Sequence, residues 1–306
     1  MPRDTDQARA ARSGNPGRAV EVYKSAAGRE AVRALYARQL ARLSIPYRET
    51  FVETRYGATH VLEMGPHDAP PLVAIHGVNF PAPFVATMAA PLAATHRVIL
   101  PDIVGQPGLS AEVRPSRSRH GYGLWLADTL DALNLDKAAL AGISFGGGVV
   151  LDFATFAPQR IEKLVLLVPA GIDGVSPDLF SIGRLYFAWQ MYHWLPDRSH
   201  IADTVRLLAW ELDETQADFF DAVLQHVDWM VTPPGPFSRD ELKNLSAPCA
   251  VYGAEHDLFF PGPALIEAAA QVLPNLADSA VYDSSHFPTA AMQAAVMARI
   301  GKFLES

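Results

Sequence analysis

The segment that most constrains how this chain can fold is a serine between two glycines, Gly142-Ile143-Ser144-Phe145-Gly146. An apolar, strand-like run precedes it, and the run Val149-Val150-Leu151 that follows is typical of a buried helix. Glycines on both sides lack the Cβ atoms that would collide in a sharp strand-to-helix turn. They also let Ser144 adopt a strained backbone conformation with its hydroxyl exposed. Such a pentapeptide also occurs by chance, as a glycine-rich loop with an incidental serine, so the rest of the chain decides between the two interpretations.

Composition sets the size and the class of the protein. The chain has 306 residues, of which 49% are hydrophobic, enough for one large α/β domain or for a core with an inserted subdomain. Its net charge of -8 argues against general affinity for nucleic acid or for an anionic membrane, because the electrostatic term has the wrong sign. We therefore expect no nucleic-acid partner, while the sequence does not indicate an oligomeric state.

Cysteine content and the chain's first residues bear on its location. Cys249 is the single cysteine, which excludes an internal disulfide framework and a multi-cysteine metal site. Residues 1–26 have no apolar segment of the kind found in secretory signals, and we predict a disordered tail there. No apolar run approaches the roughly 18 residues that cross a bilayer. The sequence thus predicts a cytoplasmic protein without a membrane span.

Hydrophobic periodicity predicts the main elements. Apolar residues recur at helical spacing from Ala27 to Leu43, and Tyr47 to Thr54 with Gly57 to Met64 alternate like a β-hairpin. Short continuous apolar runs, separated in several cases by helical patterns, predict parallel strands covered on both faces. These runs are Leu72 to Ile75, Arg97 to Leu100, Ala138 to Ala141, Lys163 to Val168 and Ala250 to Tyr252.

The alternation of strands and helices stops between residues 171 and 248, which carry helical patterns without a buried strand. We interpret this stretch as a helical cap inserted into a core formed by residues 27–170 and 249–306. The cap is rich in aromatic side chains, which either pack in its own core or line an apolar pocket, and we expect packing to account for most of them. They are Phe180, Tyr186, Phe187, Trp189, Tyr192, Trp194, Trp210, Phe219, Phe220 and Trp229.

A serine hydroxyl needs a general base and a group that orients the base, and the sequence supplies candidates for both. His286 follows a short strand-like run, Ala280 to Tyr282, and we predict it as the base. Asp257 follows the preceding strand, and we predict it as the acid that orients His286. Glu255 and Asp173 are the alternatives to Asp257.

Two backbone amides are candidates for stabilising an oxyanion. His76-Gly77-Val78-Asn79 forms a turn after a buried strand, and the Val78 N–H can point at the reacting oxygen. Phe145 supplies a second N–H at the start of a helix, whose positive end favours negative charge. We expect His76 to hold the turn rather than to act as a base, and Asp102 to brace the loop in which it lies.

From about Tyr47 onward the chain resembles the α/β-hydrolase superfamily. The motifs that carry the resemblance are His76-Gly77, the loop PDIVGQPGLS from Pro101 to Ser110, the GISFG segment, the Asp257 loop and the His286 loop. The chain order Ser144, Asp257, His286 is the one expected for that family. The leading helix and the TRYGATH hairpin make it most similar to bacterial carboxylesterases with a helical cap. Gln106-Pro107-Gly108 departs from the family's D-x-x-G-x-G-x-S loop, so the resemblance does not assign the contacts of Ser110.

The resemblance implies a mostly parallel sheet flanked by helices, with an inserted helical cap. It implies a serine hydrolase that cleaves a small, apolar carboxylic ester through an acyl-enzyme, without a metal or organic cofactor. Two alternatives stay open. The same catalytic groups serve relatives that act on C–C bonds, lactones or thioesters, and the scaffold also serves ligand receptors with little turnover.

Overall fold

The structure is a computed structural model that describes residues 17–117, 120–175, 179–194 and 208–306. The helices in this part of the chain are α1 (Ala26–Leu40), α2 (Ala82–Ala89), α3 (Gly121–Ala132), α4 (Phe145–Ala154), α5 (Leu179–Trp194), α6 (Glu214–His226), α7 (Arg239–Leu242), α8 (Gly262–Val272) and α9 (Ala290–Glu305). The strands are β1 (Arg18–Ala19), β2 (Tyr47–Thr54), β3 (Gly57–Met64), β4 (Pro71–Ile75), β5 (Arg97–Pro101), β6 (Val113–Arg114), β7 (Ala138–Ile143), β8 (Ile161–Leu167), β9 (Cys249–Ala254) and β10 (Leu276–Tyr282).

An 8-stranded sheet forms the centre of the molecule, in the order β10-β9-β8-β7-β4-β5-β3-β2. Neighbours from β10 to β5 pair in parallel, whereas β3 is antiparallel to both β5 and β2. This confirms the predicted α/β-hydrolase fold with a mostly parallel sheet. The predicted leading helix is also present, although it ends at Leu40 rather than at Leu43.

Helices cover both faces of the sheet, and β4 makes the arrangement visible. Its side chains alternate between two hydrophobic clusters, because successive residues of a strand point to opposite faces. Val73 and Ile75 pack in the cluster that contains α3, α4 and α8. Leu72 and Ala74 pack in the cluster that contains α1, α2 and α9. Burial on both sides explains why the strand is apolar at consecutive positions rather than at alternate ones.

The sheet brings the candidate site residues to one edge. β4 and β7 are neighbours, and the turn His76 to Asn79 follows β4 while Ser144 follows β7. β9 and β10 are also parallel neighbours, and their loops carry Asp257 and His286. The carboxyl ends of parallel strands meet at the same edge, at a point where strand order reverses between β5 and β7.

The N-terminal prediction does not hold for residues 17–26, while residues 1–16 lie outside the described part. β1 pairs with β6, and the Lys24 N–H donates to the carbonyl of His226 at the end of α6. The side chains of Val22 and Tyr23 are buried in a cluster with Phe219. The average composition of residues 1–26 is polar and does not indicate this pair of apolar residues. The pair is enough to hold the segment against α6.

The described part of residues 171–248 contains α5, α6 and α7, in keeping with a helical insertion, whose boundaries stay a prediction. Of the aromatic side chains described in this stretch, Phe219, Phe220 and Trp229 pack in a hydrophobic cluster, whereas we expected most of the aromatic residues to pack. The exposed ones are Phe180, Tyr186, Phe187, Trp194 and Trp210, while the side chains of Trp189 and Tyr192 lie outside the described set. Across the ranges described above, no helix is long and apolar enough to cross a membrane.

Candidate active site

Ser144 lies between the last residue of β7 and the first residue of α4, with φ 50° and ψ -115°. A positive φ is unfavourable for a residue with a side chain, and hydrogen bonds on both sides maintain it. The Ser144 N–H donates to the Leu167 carbonyl, and the Ser144 carbonyl accepts from Gly147 and Ala170. The sequence predicted this strained turn from its glycines.

The two glycines of the motif are required by their neighbours. A Cβ on Gly146 would overlap the carbonyl oxygen of Ile75 in β4 and would lie 2.7 Å from that of His76. A Cβ on Gly142 would lie 2.5 Å from the carbonyl oxygen of Gly146. Because these obstacles are backbone atoms, they cannot rotate away. Glycine at both positions therefore lets α4 start directly beside β4.

Ser144, His286 and Asp257 form a continuous hydrogen-bonded row. The Nε2 atom of His286 is 3.0 Å from the Ser144 Oγ, and its Nδ1 atom is 2.7 Å from the Asp257 Oδ2. Ser144 and His286 are each 8% exposed, and Asp257 is 3% exposed. The structure thus brings together the three residues predicted from separate parts of the chain.

The Asp257 carboxylate is held on both of its oxygens. Oδ1 accepts the backbone N–H groups of Phe259 at 2.8 Å and Phe260 at 3.1 Å, while Oδ2 faces His286. An ionised carboxylate is acceptor-only, so Nδ1 of His286 carries the proton in this pair. With the proton on Nδ1, the Nε2 atom is a hydrogen-bond acceptor, and it faces the Ser144 hydroxyl.

The alternative acids lie elsewhere. Asp173 is exposed and accepts the N–H of Gly174. Glu255 is exposed and forms, with His256 and Asp283, the group of residues within the described ranges that could hold a metal ion. Their ligand atoms lie within 4.8 Å of one another, and all three side chains are exposed. Neither alternative acid is hydrogen-bonded to His286 in the described part of the chain.

The turn after β4 lies against Ser144, since a Cβ on Gly77 would be 3.6 Å from the Ser144 Cβ. The Gly77 carbonyl belongs to the same peptide group as the Val78 N–H, and the two point in opposite directions. That carbonyl accepts Nδ1–H of His76 at 2.7 Å, and Nε2 of His76 accepts the Ile103 N–H at 2.8 Å. Burial lowers the pKa of His76, so the ring stays neutral and makes both bonds. His76 therefore holds the turn and fixes the direction of the Val78 N–H.

The two predicted oxyanion donors are available. In the described part of the chain, neither the Val78 N–H nor the Phe145 N–H has a hydrogen-bond acceptor. Phe145 is the first residue of α4, where unpaired N–H groups and the helix dipole favour a negative charge. Two unpaired N–H groups near one serine hydroxyl are what an oxyanion requires.

Asp102 braces its loop, as expected, through a buried network that the sequence did not reveal. Its Oδ1 accepts the Ala82 N–H at the start of α2, and its Oδ2 faces Tyr36 Oη at 3.0 Å and His60 Nδ1 at 3.2 Å. Burial alone would raise the pKa of Asp102, but the hydrogen bond and charge of His60 lower it. Glu49 lies 3.1 Å from Nε2 of His60. His60 is the last residue of the TRYGATH segment, which was the available signal.

The loop that departs from the family pattern makes three hydrogen bonds through Ser110 and Gln106, one of them to the turn. Ser110 donates its hydroxyl to the Asp102 carbonyl and accepts the His60 N–H. Gln106 reaches back across the loop, and its Oε1 accepts the Asn79 N–H at 2.8 Å. The contacts of Ser110 that the resemblance left open are therefore structural.

Aromatic rings surround His286. Phe259 and Phe287 pack edge-on to it, with centroids 5.1 Å and 5.5 Å away, and Phe260 lies at 6.1 Å. Phe80, just after the turn, contacts Phe287 at 4.9 Å. The rings exclude water from the imidazole and give the site apolar walls. Cys249 is buried in β9, and burial raises its thiol pKa to about 12.

Comparison with known proteins gives relatives with the same fold. Residues 70–217 match the family model described as alpha/beta hydrolase fold. The carboxylesterase YbfK of Bacillus subtilis (strain 168) is 25% identical over 284 residues, covering 88% of this chain and 92% of that protein. The crystal structure of naproxen esterase (carboxylesterase NP) from Bacillus subtilis has a TM-score of 0.77 at 21% identity, covering 92% of this chain and 99% of that chain.

A third relative is named as a different kind of hydrolase. The 2-hydroxymuconate semialdehyde hydrolase of Pseudomonas sp. (strain CF600) is 36% identical over 112 residues, which is 34% of this chain and 38% of that protein. The region that matches the family model includes Val78, Ser144 and Phe145, while Asp257 and His286 follow it.

Proposed function

Because this chain belongs to the α/β-hydrolase superfamily, we propose that it is a serine carboxylesterase that uses Ser144, His286 and Asp257 as its catalytic triad. The observation that carries the proposal is the row of hydrogen bonds from Ser144 Oγ through His286 to Asp257, at 3.0 Å and 2.7 Å. The substrate would be a small, largely apolar ester, in keeping with the aromatic walls around His286.

The first half of the reaction forms the acyl-enzyme. Ser144 Oγ attacks the ester carbonyl while Nε2 of His286 takes the hydroxyl proton, and Asp257 stabilises the imidazolium. The protonated Nε2 then delivers that proton to the departing alcohol. In the second half, Nε2 takes a proton from water, the hydroxide attacks the acyl carbon, and the proton returns to Ser144 as the acid leaves.

The oxyanion that forms in each half would accept the Val78 and Phe145 N–H groups. Loss of one such donor costs about 2.7 to 4 kcal/mol of transition-state stabilisation. The Val78 donor is a backbone group, so its direction depends on the turn, and the neutral ring of His76 keeps the Gly77–Val78 peptide in its orientation.

Hydrolysis of p-nitrophenyl esters of increasing acyl length tests the proposal directly. We expect the wild type to turn over these esters and to be labelled by an organophosphonate at Ser144. Ser144→Ala should lose both signals, and the preferred acyl length measures the pocket. A folded wild type that is not labelled would contradict the triad and favour a ligand receptor built on this scaffold.

The second candidate is hydrolysis of a C–C bond by the same groups. The similarity to the 2-hydroxymuconate semialdehyde hydrolase over 112 residues is the observation in its favour. Labelling of Ser144 without ester turnover would support this candidate, and dienone, lactone and thioester substrates would then be tested in turn. The location in the cytoplasm stays a prediction from the sequence.

A further inference from the structure

Two buried amide side chains lie beside the turn that carries the Val78 N–H. Asn79 is 5% exposed, with φ 59°, and Gln106 is 2% exposed. Gln106 Oε1 accepts the Asn79 N–H at 2.8 Å, and Asn79 Nδ2 donates to the Trp229 carbonyl at 2.8 Å. The pair thus links the oxyanion turn to the loop of Pro101 to Ser110 on one side and to the predicted cap on the other.

These bonds fix which way each amide points. Gln106 must present its oxygen to an N–H group, and Asn79 must present its nitrogen to a carbonyl, so a flip of either amide would oppose like groups. The other atom of each amide, Gln106 Nε2 and Asn79 Oδ1, is buried and has no hydrogen-bond partner in the described part of the chain. A buried polar atom without a partner is unfavourable, so these two atoms favour a bound polar group.

We infer that Asn79 and Gln106 form a subsite for a hydroxyl group of the substrate, an inference that rests on the proposed ester hydrolysis. Gln106 Nε2 is a donor and Asn79 Oδ1 is an acceptor, and a hydroxyl complements both because it accepts one hydrogen bond and donates another. A carboxylate would leave Asn79 Oδ1 facing another acceptor, and an ammonium would leave Gln106 Nε2 facing another donor. An alkyl group would leave both atoms unpaired.

Asn79 lies two residues after the glycine that packs against Ser144. The Cβ position of Gly77 is 3.6 Å from the Ser144 Cβ, and Asn79 follows Gly77 by two Cα steps of about 3.8 Å each. A hydroxyl carried a few bonds from the ester carbonyl spans this range. The expected substrates are therefore esters with a neutral hydroxyl near the scissile bond.

A series of paired esters tests the inference. Each pair consists of an n-alkyl butanoate and the same ester with a hydroxyl at the second, third or fourth carbon of its alcohol part. Release of butanoic acid is followed, and the readout is the ratio of the two kcat/KM values. At its best position, the hydroxyl should raise kcat/KM about tenfold in the wild type, the effect of one well-made hydrogen bond. A variant that disturbs the oxyanion turn lowers both kcat/KM values, so their ratio does not change for that reason alone.

Gln106→Met should reduce this ratio to about one, and so should Asn79→Gly, in which glycine suits the positive φ. Gln39→Met is the matched control, because Gln39 is 1% exposed in α1 and bonds to Thr87 of α2, away from Ser144. Gln39→Met should keep the wild-type ratio.

The outcomes separate the two proposals. A wild-type ratio near one at every position, with normal Ser144-dependent turnover of the plain esters, would overturn the subsite and leave the esterase proposal intact; the two atoms would then bind water only. A raised ratio that survives both Gln106→Met and Asn79→Gly would also overturn it. Absence of turnover and of Ser144 labelling would contradict the esterase proposal instead. Paired phosphonates with and without the hydroxyl would then test binding alone, through protection against thermal unfolding, with equal protection overturning the subsite.

Discussion

The two halves of the candidate site differ in how their polar groups are satisfied. Around Asp257, both carboxylate oxygens accept hydrogen bonds. Asp257, His286 and Ser144 are joined in one row of hydrogen bonds, so each of the three side chains has a partner. Beside the oxyanion turn, Asn79 Oδ1 and Gln106 Nε2 are buried without one. The first half is complete in the free protein, whereas the second half becomes complete only with a bound group. We infer that the triad half fixes the chemistry and the turn half selects the substrate.

Asp257→Asn should have the largest effect among the variants that test this division. The asparagine oxygen keeps the Phe259 and Phe260 N–H bonds, but its amide nitrogen then faces Nδ1 of His286. The ring is forced into the tautomer with a proton on Nε2, which cannot accept the Ser144 proton. We expect kcat for a p-nitrophenyl ester to fall about 10⁴-fold, the effect typical of this substitution in a Ser-His-Asp triad.

Glu255→Gln is the matched control, because Glu255 is the nearby alternative acid in the exposed group with His256 and Asp283. Its kcat should stay within about twofold of the wild type, as expected for a surface substitution that only removes a charge. A loss in Glu255→Gln as large as in Asp257→Asn would mean that the acid had been assigned to the wrong residue.

Gly146→Ala should have the next largest effect. It tests whether the triad half and the turn half of the site both depend on the close packing of α4 against β4. Its new Cβ would overlap the Ile75 carbonyl oxygen directly before the oxyanion turn, so either α4 or β4 must shift. We expect the free energy of unfolding to fall by about 1 to 3 kcal/mol, the range for overpacking a dense core. Both labelling of Ser144 and ester turnover should fall, because the shift moves Phe145 and Val78 apart.

Gly301→Ala in α9 controls for the gain in helix propensity. A Cβ there would meet Leu92 Cδ2 at 3.5 Å, an ordinary contact, so urea unfolding should give unchanged or increased stability, by up to about 1 kcal/mol. If Gly146→Ala were as stable as Gly301→Ala, the elbow would be more deformable than its backbone contacts indicate.

The residues of the triad half could be predicted from the sequence because each follows a strand and has a local signature. Glycines on both sides of Ser144, and loops directly after β9 and β10, are patterns visible within a few residues. A parallel sheet then brings the strand ends together, so local signals were sufficient to identify Asp257 and His286. The same reasoning predicted the structural role of His76, which its two hydrogen bonds support, while Val78 as an oxyanion donor stays a prediction.

The supporting residues could not be predicted, because their partners are distant in sequence and their burial depends on packing. Tyr36 in α1 and His60 in β3 meet Asp102 only after the hairpin and the helix pack on the sheet. In the sequence, Gln106 is an irregularity of its loop, and nothing there indicates its hydrogen bond to Asn79. Val22 and Tyr23 were assigned to a disordered tail because composition averages over a window and misses two apolar residues.

The smallest expected effect concerns the pH dependence of stability, which separates the network under the turn from the triad. Burial of His60 opposes its protonation, but the hydrogen bonds and charges of Asp102 and Glu49 outweigh this and raise its pKa. A raised pKa in the folded state gives a stabilising contribution that is complete below the unfolded-state value near 6.5 and is lost as the pH rises through the folded-state value. Asp102 has the opposite sign, since its lowered pKa gives a contribution that is lost only in acid.

Urea unfolding should therefore show that the wild type is less stable at pH 9 than at pH 6. The difference in the free energy of unfolding between the two pH values should be smaller in His60→Gln, although this variant is less stable than the wild type at both. Tyr36 faces the same carboxylate, and Asp102 together with burial raises the pKa of its hydroxyl, so it stays neutral throughout this range. Tyr36→Phe is accordingly the control that removes the hydroxyl contacts with Asp102 and with His60 Nδ1 but keeps the titrating imidazole. An equal loss between pH 6 and pH 9 in all three proteins would mean that His60 is neutral in the folded state over this range.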